Sequence, residues 1–378
     1  MHLFQSRFMA VRSVNFPRQE NTEFITELRS RVAKYFKENG ISKNGNAKMH
    51  IKTVAMLLMY ALPYTLILLN LTDNAYLKLS LWLFMGLGLA GLGLSVMHDA
   101  VHGAYSSNKK LNDFLSNVMV IIGGSKFTWN IQHNQRHHSY TNVDGIDEDI
   151  DPGFIMRFSP HKRRYWIHKA QHLYAWFFYG IMTVTWSTEK DFRQLLTYRA
   201  QGALKNHKTP FFVVFLKILA SKIVFQFITV GIPIIMLPDP WYVIVFYAFC
   251  MHFIAGLTMA CVFQPAHVMP SSEYPLPDSG GSMENNWAIH QLLTTANFAP
   301  NNKLLSWYVG GLNYQIEHHL FPTICHVHYK ELSPIVRKTA EEFGLPYNVQ
   351  PTFTQALRTH AKMLKHLGRY DELPAFSA

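Results

Sequence analysis

The run Leu77-Lys-Leu-Ser-Leu-Trp-Leu-Phe-Met-Gly-Leu-Gly-Leu-Ala-Gly-Leu-Gly-Leu-Ser-Val-Met97 leads directly into His98-Asp-Ala-Val-His102. This stretch decides the fold class. About 20 apolar residues suffice for a helix to cross a bilayer. The two histidines that follow stand at i and i+4, so both rings lie on one helix face where the span ends. Such a span predicts an all-α integral membrane protein, and both rings can reach one metal, although a pair so spaced often arises by chance.

Three further apolar runs, 51–71, 223–237 and 241–263, read as spans. The third is short. Residues from Leu216 can join it, and Lys217 and Lys222 put its basic start at the interface. Shorter aromatic-rich runs at 114–123 and 173–186 read as lying in the interface rather than crossing. Four spans return the chain to its starting side. Loop 72–76 and turn 238–240 contain no Lys or Arg, while the other side holds nearly all the basic residues. The positive-inside rule then places the termini and long loops in the cytosol. The expected organisation is a cytosolic segment 1–50, a membrane catalytic domain 51–330 and a cytosolic helical tail 331–378. Within the first segment Phe24, Ile25, Leu28, Val32 and Phe36 follow helical spacing, which predicts an amphipathic helix over 22–39.

Composition agrees. The mean hydropathy is zero although 49% of residues are hydrophobic, because apolar runs alternate with His-, Lys- and Arg-rich stretches. A net charge of +11 without a block of basic residues or a nucleic-acid motif points to an anionic membrane surface. The three cysteines, Cys250, Cys261 and Cys325, have no zinc or disulfide spacing. Residues 1–50 are polar, so no cleavable signal peptide is expected.

The 20 histidines require an explanation. Besides His98 and His102, there are His133-Asn-Gln-Arg-His137-His138, Gln315-Ile-Glu-His318-His319 and a single His267 just past the fourth span. On an α-helix His133 and His137 share a face, and His138 lies about 100° further round, free to serve a second metal. Gln315 shares a face with His318 or His319. All four clusters fall on the side assigned to the cytosol by hydropathy and charge alone. Zinc needs three or four ligands, so this many imidazoles suits two ions, and iron accepts imidazole well. Structural roles are expected for His161, His168, His172, His207, His252, His360 and His366. His290, His326 and His328 flank the third cluster and are read as structural, with orientation of ligands as the alternative.

These residues resemble the membrane fatty-acid desaturases. The matching pieces are His-Asp-Ala-Val-His-Gly from His98, His-Asn-Gln-Arg-His-His-Ser-Tyr-Thr-Asn from His133 and Asn-Tyr-Gln-Ile-Glu-His-His-Leu-Phe-Pro from Asn313. The resemblance covers about residues 50–330. It implies a di-iron site bound by His98, His102, His133, His137, His138, His267, His318 and His319. Gln315, Asn313 and His290 are further ligand or supporting candidates. It implies dioxygen as co-substrate, electrons from an external redox protein, and an acyl-CoA or acyl-lipid substrate. Many family members begin the third box with His; Gln315 instead resembles the front-end branch of linoleoyl Δ6 type. No His-Pro-Gly-Gly haem motif occurs, so the resemblance implies a separate ferredoxin or cytochrome donor and a bacterial inner membrane, or the endoplasmic reticulum if eukaryotic.

The expected reaction inserts a cis double bond into a fatty-acyl chain. Taking hydrogen from an unactivated methylene is beyond acid–base side chains and calls for a metal and dioxygen. Trp129, Trp287 and Trp307 are candidates to line an acyl channel, though packing explains each of them too. Basic residues within 157–169 could hold a CoA phosphate or anionic lipid. A hydroxylase on the same scaffold is the nearest alternative. A membrane haem protein for electron transfer is the other, but within the spans only His252 could serve as an axial ligand.

Overall fold

The computed structural model describes residues 14–17, 22–205 and 207–374. Four helices are long and apolar enough to cross a membrane: Ala47–Leu68, Ala75–Val101, Phe211–Met236 and Trp241–His267. We call them the first to fourth spans. At 1.5 Å per residue the longest, of 27 residues, reach about 40 Å and so extend beyond the hydrocarbon at one end. That surplus carries His98 and His267 on the helices themselves.

The spans pack through small residues. A Cβ at Gly88 would lie 2.5 Å from the Met59 carbonyl carbon, so glycine there lets the first two spans touch backbone to backbone. Gly86 does the same against Met251 of the fourth span. Methionines fill the seam: Met56, Met85, Met251 and Met259 are buried in one core with Trp82 and Leu89. Unbranched side chains fill the irregular gaps between helices of different tilt.

The third span departs from its expected bounds. It starts at Phe211 and runs 26 residues, with Lys217 and Lys222 inside it. Lys222 is not at an interface. Its ammonium donates to the carbonyls of Gly123 and Trp186, each at 2.5 Å, and pairs with Asp191. A charge with that many partners does not end a helix. The run at 173–186 also lies deeper than an interfacial reading places it. Thr183 Oγ1 donates to the His252 carbonyl at 2.7 Å, and Gly180 and Gly256 meet by their backbones, halfway along the fourth span.

Helices outside the spans build a cap over His98, His267 and their neighbours. The expected amphipathic helix is present as Glu23–Glu38, burying Phe24, Leu28 and Val32. They pack against Leu332, Val336 and Ala340 of helix Tyr329–Glu342. A two-residue parallel pairing, Asn297–Phe298 with Val349–Gln350, fastens the C-terminal segment to the cap. Helix Phe353–Leu367 then buries Met363, Leu364 and Leu367 beside Ala175 and Val268.

Candidate metal centre

Two π-helical turns aim the histidines. In the second span Leu92–Met97 is π-helical, and the His98 amide donates to the Gly93 carbonyl five residues back. The segment Asn130–His137 is π-helical too, and the His138 amide donates to the His133 carbonyl at 2.9 Å. Such turns are rare and concentrate at functional sites.

The second π turn corrects the expected pairing. With a wider turn, His133 and His138 come to one face: their Nε2 atoms lie 3.1 Å apart. His133 Nε2 is also 3.3 Å from His98 Nε2. His137 turns instead toward His267 and His319, with ring centroids at 4.7 and 5.0 Å. Ligand nitrogens of His98, His102, His133 and His318 all lie within 4.8 Å of one another, and those of His137, His267 and His319 form a second such group. His138 stands between them, its ring 4.5 Å from His318 and 4.4 Å from His319. Four stretches of chain thus supply one cluster with two lobes.

Five imidazole nitrogens of the cluster lack partners. Nε2 of His102, His267, His318 and His319, and Nδ1 of His138, are buried without a hydrogen bond. A buried polar atom left unpaired is costly, so five in one cluster need a common explanation. A bound cation would supply one, and the two groups of imidazole nitrogens could hold a metal ion.

The outer nitrogens are held. His319 Nδ1 meets Gln291 Oε1 at 2.8 Å, His318 Nδ1 meets the Tyr329 hydroxyl at 3.2 Å, and His267 Nδ1 meets the Thr294 carbonyl at 3.3 Å. Carbonyl and amide oxygens there fix Nδ1–H and leave the Nε2 lone pair pointing inward. His137 Nδ1 faces Asp147 at 3.1 Å and Asp149 at 3.4 Å. Burial alone would lower the His137 pKa, but the two carboxylates outweigh it and raise it to about 9. The same field favours any cation at Nε2. Burial, then the neighbouring imidazoles, holds His102, His133, His138, His318 and His319 well below the ordinary histidine range. They are neutral, as metal ligands must be.

Of the other candidates, Gln315 is buried, its amide faces His267, and its Nε2 has no partner. Asn313 is buried: its Nδ2 donates to the Ala299 carbonyl at 3.3 Å, at a residue with φ +47°, and its Oδ1 has no hydrogen-bond partner. His290 meets the Thr141 carbonyl at 2.8 Å and so braces the loop after His138. His326 joins Asp99 at 2.8 Å and Lys52 at 2.6 Å, clamping the segment after the third box to the first two spans. His161, His168 and His360 each meet a backbone carbonyl. Trp129 stacks on His133 at 4.2 Å and walls the cluster. Trp287 donates to the His138 carbonyl at 2.9 Å. Trp307 lies instead beside Lys52, at 5.8 Å. Arg157 does not offer a phosphate site: it is buried and donates to the carbonyls of Leu367 and Tyr370 at 2.5 and 2.7 Å.

Sequence reasoning missed Asp147, Asp149, Gln291 and Tyr329. The run Asp144-Gly-Ile-Asp-Glu-Asp-Ile-Asp151, so soon after His137–His138, was a signal for the first two. Gln291 and Tyr329 leave no such mark.

A family model for fatty acid desaturases matches residues 75–351, which contain every clustered histidine. The chain is 34% identical over 352 residues to the sn-1 linoleoyl-lipid 6-desaturase of Arthrospira platensis, covering 93% of this chain and 94% of that one. It is 33% identical to the enzyme of the same name from Synechocystis sp., at 92% and 96% coverage. An acyl-lipid (8-3)-desaturase from Physcomitrium patens is 35% identical over 92% of this chain and 72% of its own length. Similarity that runs through the spans, the cap and every box alike makes this protein a member of the fatty acid desaturase family.

Proposed function

We propose that the chain is a front-end acyl-lipid desaturase, with His98, His102, His133, His137, His138, His267, His318 and His319 holding two irons at the cytosolic membrane face. The observation that carries the metal reading is the set of five buried, unpartnered imidazole nitrogens within one histidine cluster. The relatives' names support the acyl-lipid substrate and a bond placed toward the carboxyl end. A ferredoxin- or cytochrome-type protein supplies the electrons. An iron pair bound there would supply, with dioxygen and two electrons, the oxidising power to remove two hydrogens from adjacent methylenes.

The chain's own residues do the rest. Gln291, Tyr329, the Thr294 carbonyl and Asp147 fix ring orientation from outside. Trp129 and the cap keep water from the histidines, most of which are at most 6% exposed. Exclusion of water protects an oxidising site from side reactions. Gln315 beside His267 gives the second lobe an amide where many relatives of the wider family have another imidazole.

Expression in a host lacking desaturases, fed linoleate, tests the reaction. We expect a new cis bond between the existing ones and the carboxyl group, first detected in membrane lipid rather than in acyl-CoA. An added oxygen, or a bond on the methyl side, refutes the front-end reading.

Asp147 offers a finer test. Its carboxylate also accepts from the Asn142 and Asp149 amides, each at 2.9 Å, so Asp147→Asn keeps the shape and removes the charge. Loss of a group that orients a ligand typically costs 10–100-fold in metal affinity or activity. We expect an iron-binding isotherm weakened by about that factor; wild-type affinity would remove Asp147 from the site.

A further inference from the structure

Helix Phe353–Leu367 has two faces of opposite character. Ala356, His360, Met363 and Leu364 are buried. The outer face presents Arg358, Lys362 and Lys365, with Arg369 one turn on, all exposed. None of these cations has a carboxylate within ion-pair distance among the described residues. Like charges three and four residues apart repel along a helix, so the face is held against its own field.

The same face lines a groove of about 570 Å³, to which His172 of the neighbouring helix also contributes. Thr352 and Thr359 add hydroxyls, and no Asp or Glu lines it. His172 Nδ1 is buried there without a hydrogen bond. Burial, and then the charges of Lys365 and Arg369, push the His172 imidazole below its ordinary pKa.

Its height relative to the spans is fixed by His360. That ring meets the Val268 carbonyl at 2.8 Å and the Tyr179 hydroxyl at 2.7 Å. Val268 is the residue directly after the fourth span. That end of the span is the part that extends beyond the hydrocarbon, so the groove sits at the level of the lipid headgroups. Just below it on the helix of His172, Leu173 is 69% exposed and Phe177 53% exposed, and Trp166 nearby in sequence is 82% exposed. Bare apolar side chains under a row of bare cations match the layering of acyl chain and headgroup in a lipid leaflet.

We propose that this groove binds the headgroup of an anionic glycerolipid, with its phosphate or sulfate held by Arg358, Lys362, Lys365 and the Thr359 hydroxyl. The lipid would lie one helix thickness from His267, with its acyl chains along Leu173 and Phe177.

The test reads lipid retention, not turnover, so it fails or succeeds apart from the desaturase reading. Full-length protein in neutral phosphatidylcholine nanodiscs doped with phosphatidylglycerol is purified, and retained lipids are counted by native mass spectrometry. We expect saturable retention of phosphatidylglycerol by the wild type. The variant Arg358→Gln/Lys362→Gln/Lys365→Gln should weaken it roughly a hundredfold, since each basic residue near an anionic headgroup is worth about a four- to fivefold change. A control, Lys34→Gln/Lys37→Gln/Lys338→Gln, alters exposed cations elsewhere on the cap and should retain lipid as the wild type does. Three results overturn the proposal. One is a groove variant that keeps its lipid; loss of reduction by an acidic electron donor alongside would mark a protein-docking face. The second is a control that loses as much lipid, which means diffuse attraction. The third is full displacement of the lipid by millimolar inorganic phosphate, which means a free-phosphate site.

Discussion

His318→Ala and His137→Ala should each abolish turnover, and each should lower the iron content by removing a proposed ligand from a different lobe. His318 belongs with His98, His102 and His133, and its Nε2 is one of the unpartnered nitrogens. Its loss takes one nitrogen from that group and frees the Tyr329 hydroxyl that held it. His137 belongs with His267 and His319, a lobe of three nitrogens to which Gln315 is adjacent. A three-nitrogen lobe has less to spare, so His137→Ala should empty its site more completely than His318→Ala empties the other. Removing His137 also leaves Asp147 and Asp149 facing each other at the back of the cluster, which adds a local electrostatic cost. Iron counted by inductively coupled plasma spectrometry, beside product formation, checks both halves. The His172→Ala variant, which alters a histidine outside the cluster, keeps its iron. A box variant that keeps both irons and full turnover would refute the ligand set.

The fold was legible wherever one physical rule acted alone. Hydropathy located the second and fourth spans because nothing in them competes with length and apolarity. It misjudged the third because Lys217 and Lys222 look like an interface in sequence. Lys222 is instead satisfied by Asp191, a residue 31 positions earlier, and no local pattern announces that partner. The histidines were legible as a cluster because composition, spacing and topology agreed. Their grouping was not, because spacing is read on an α-helix. The π turn over Asn130–His137 moves His138, rather than His137, into register with His133. The residues that orient the rings were the least visible. Gln291 and Tyr329 are ordinary residues whose roles come from the approach of distant segments. His290 and His326, read from sequence as structural or orienting, turn out to brace a loop and to clamp two spans.

Lys222→Leu should cost about 3–5 kcal/mol, because it leaves Asp191 buried without its counter-charge. Both partners are enclosed: their side chains are 7% and 0% exposed. Asp191 would keep only the Thr128 hydroxyl, at 2.5 Å, and the carbonyls of Gly123 and Trp186 would lose their donor. The effect should spread from stability to the site. Thr128 lies in the short helix Lys126–Trp129, which runs straight into the π turn bearing His133, His137 and His138. Trp186 begins the π turn Trp186–Lys190 that carries the chain up to Asp191. One ammonium thus ties the third span to Gly123, just before the second histidine box, and to the π turn at Trp186–Lys190, with Asp191 linking it to Thr128. Heating in detergent followed by size-exclusion chromatography should show folded Lys222→Leu lost well below the wild-type midpoint. Turnover at low temperature should fall as well, with more iron lost from the lobe of His133 than from that of His267. The double variant Lys222→Met/Asp191→Leu separates charge from packing. Removing both charges also removes the desolvated carboxylate, so about half or more of the lost stability should return. A single variant with a wild-type midpoint, or a double variant worse than the single, would show that the pair does not hold these segments together.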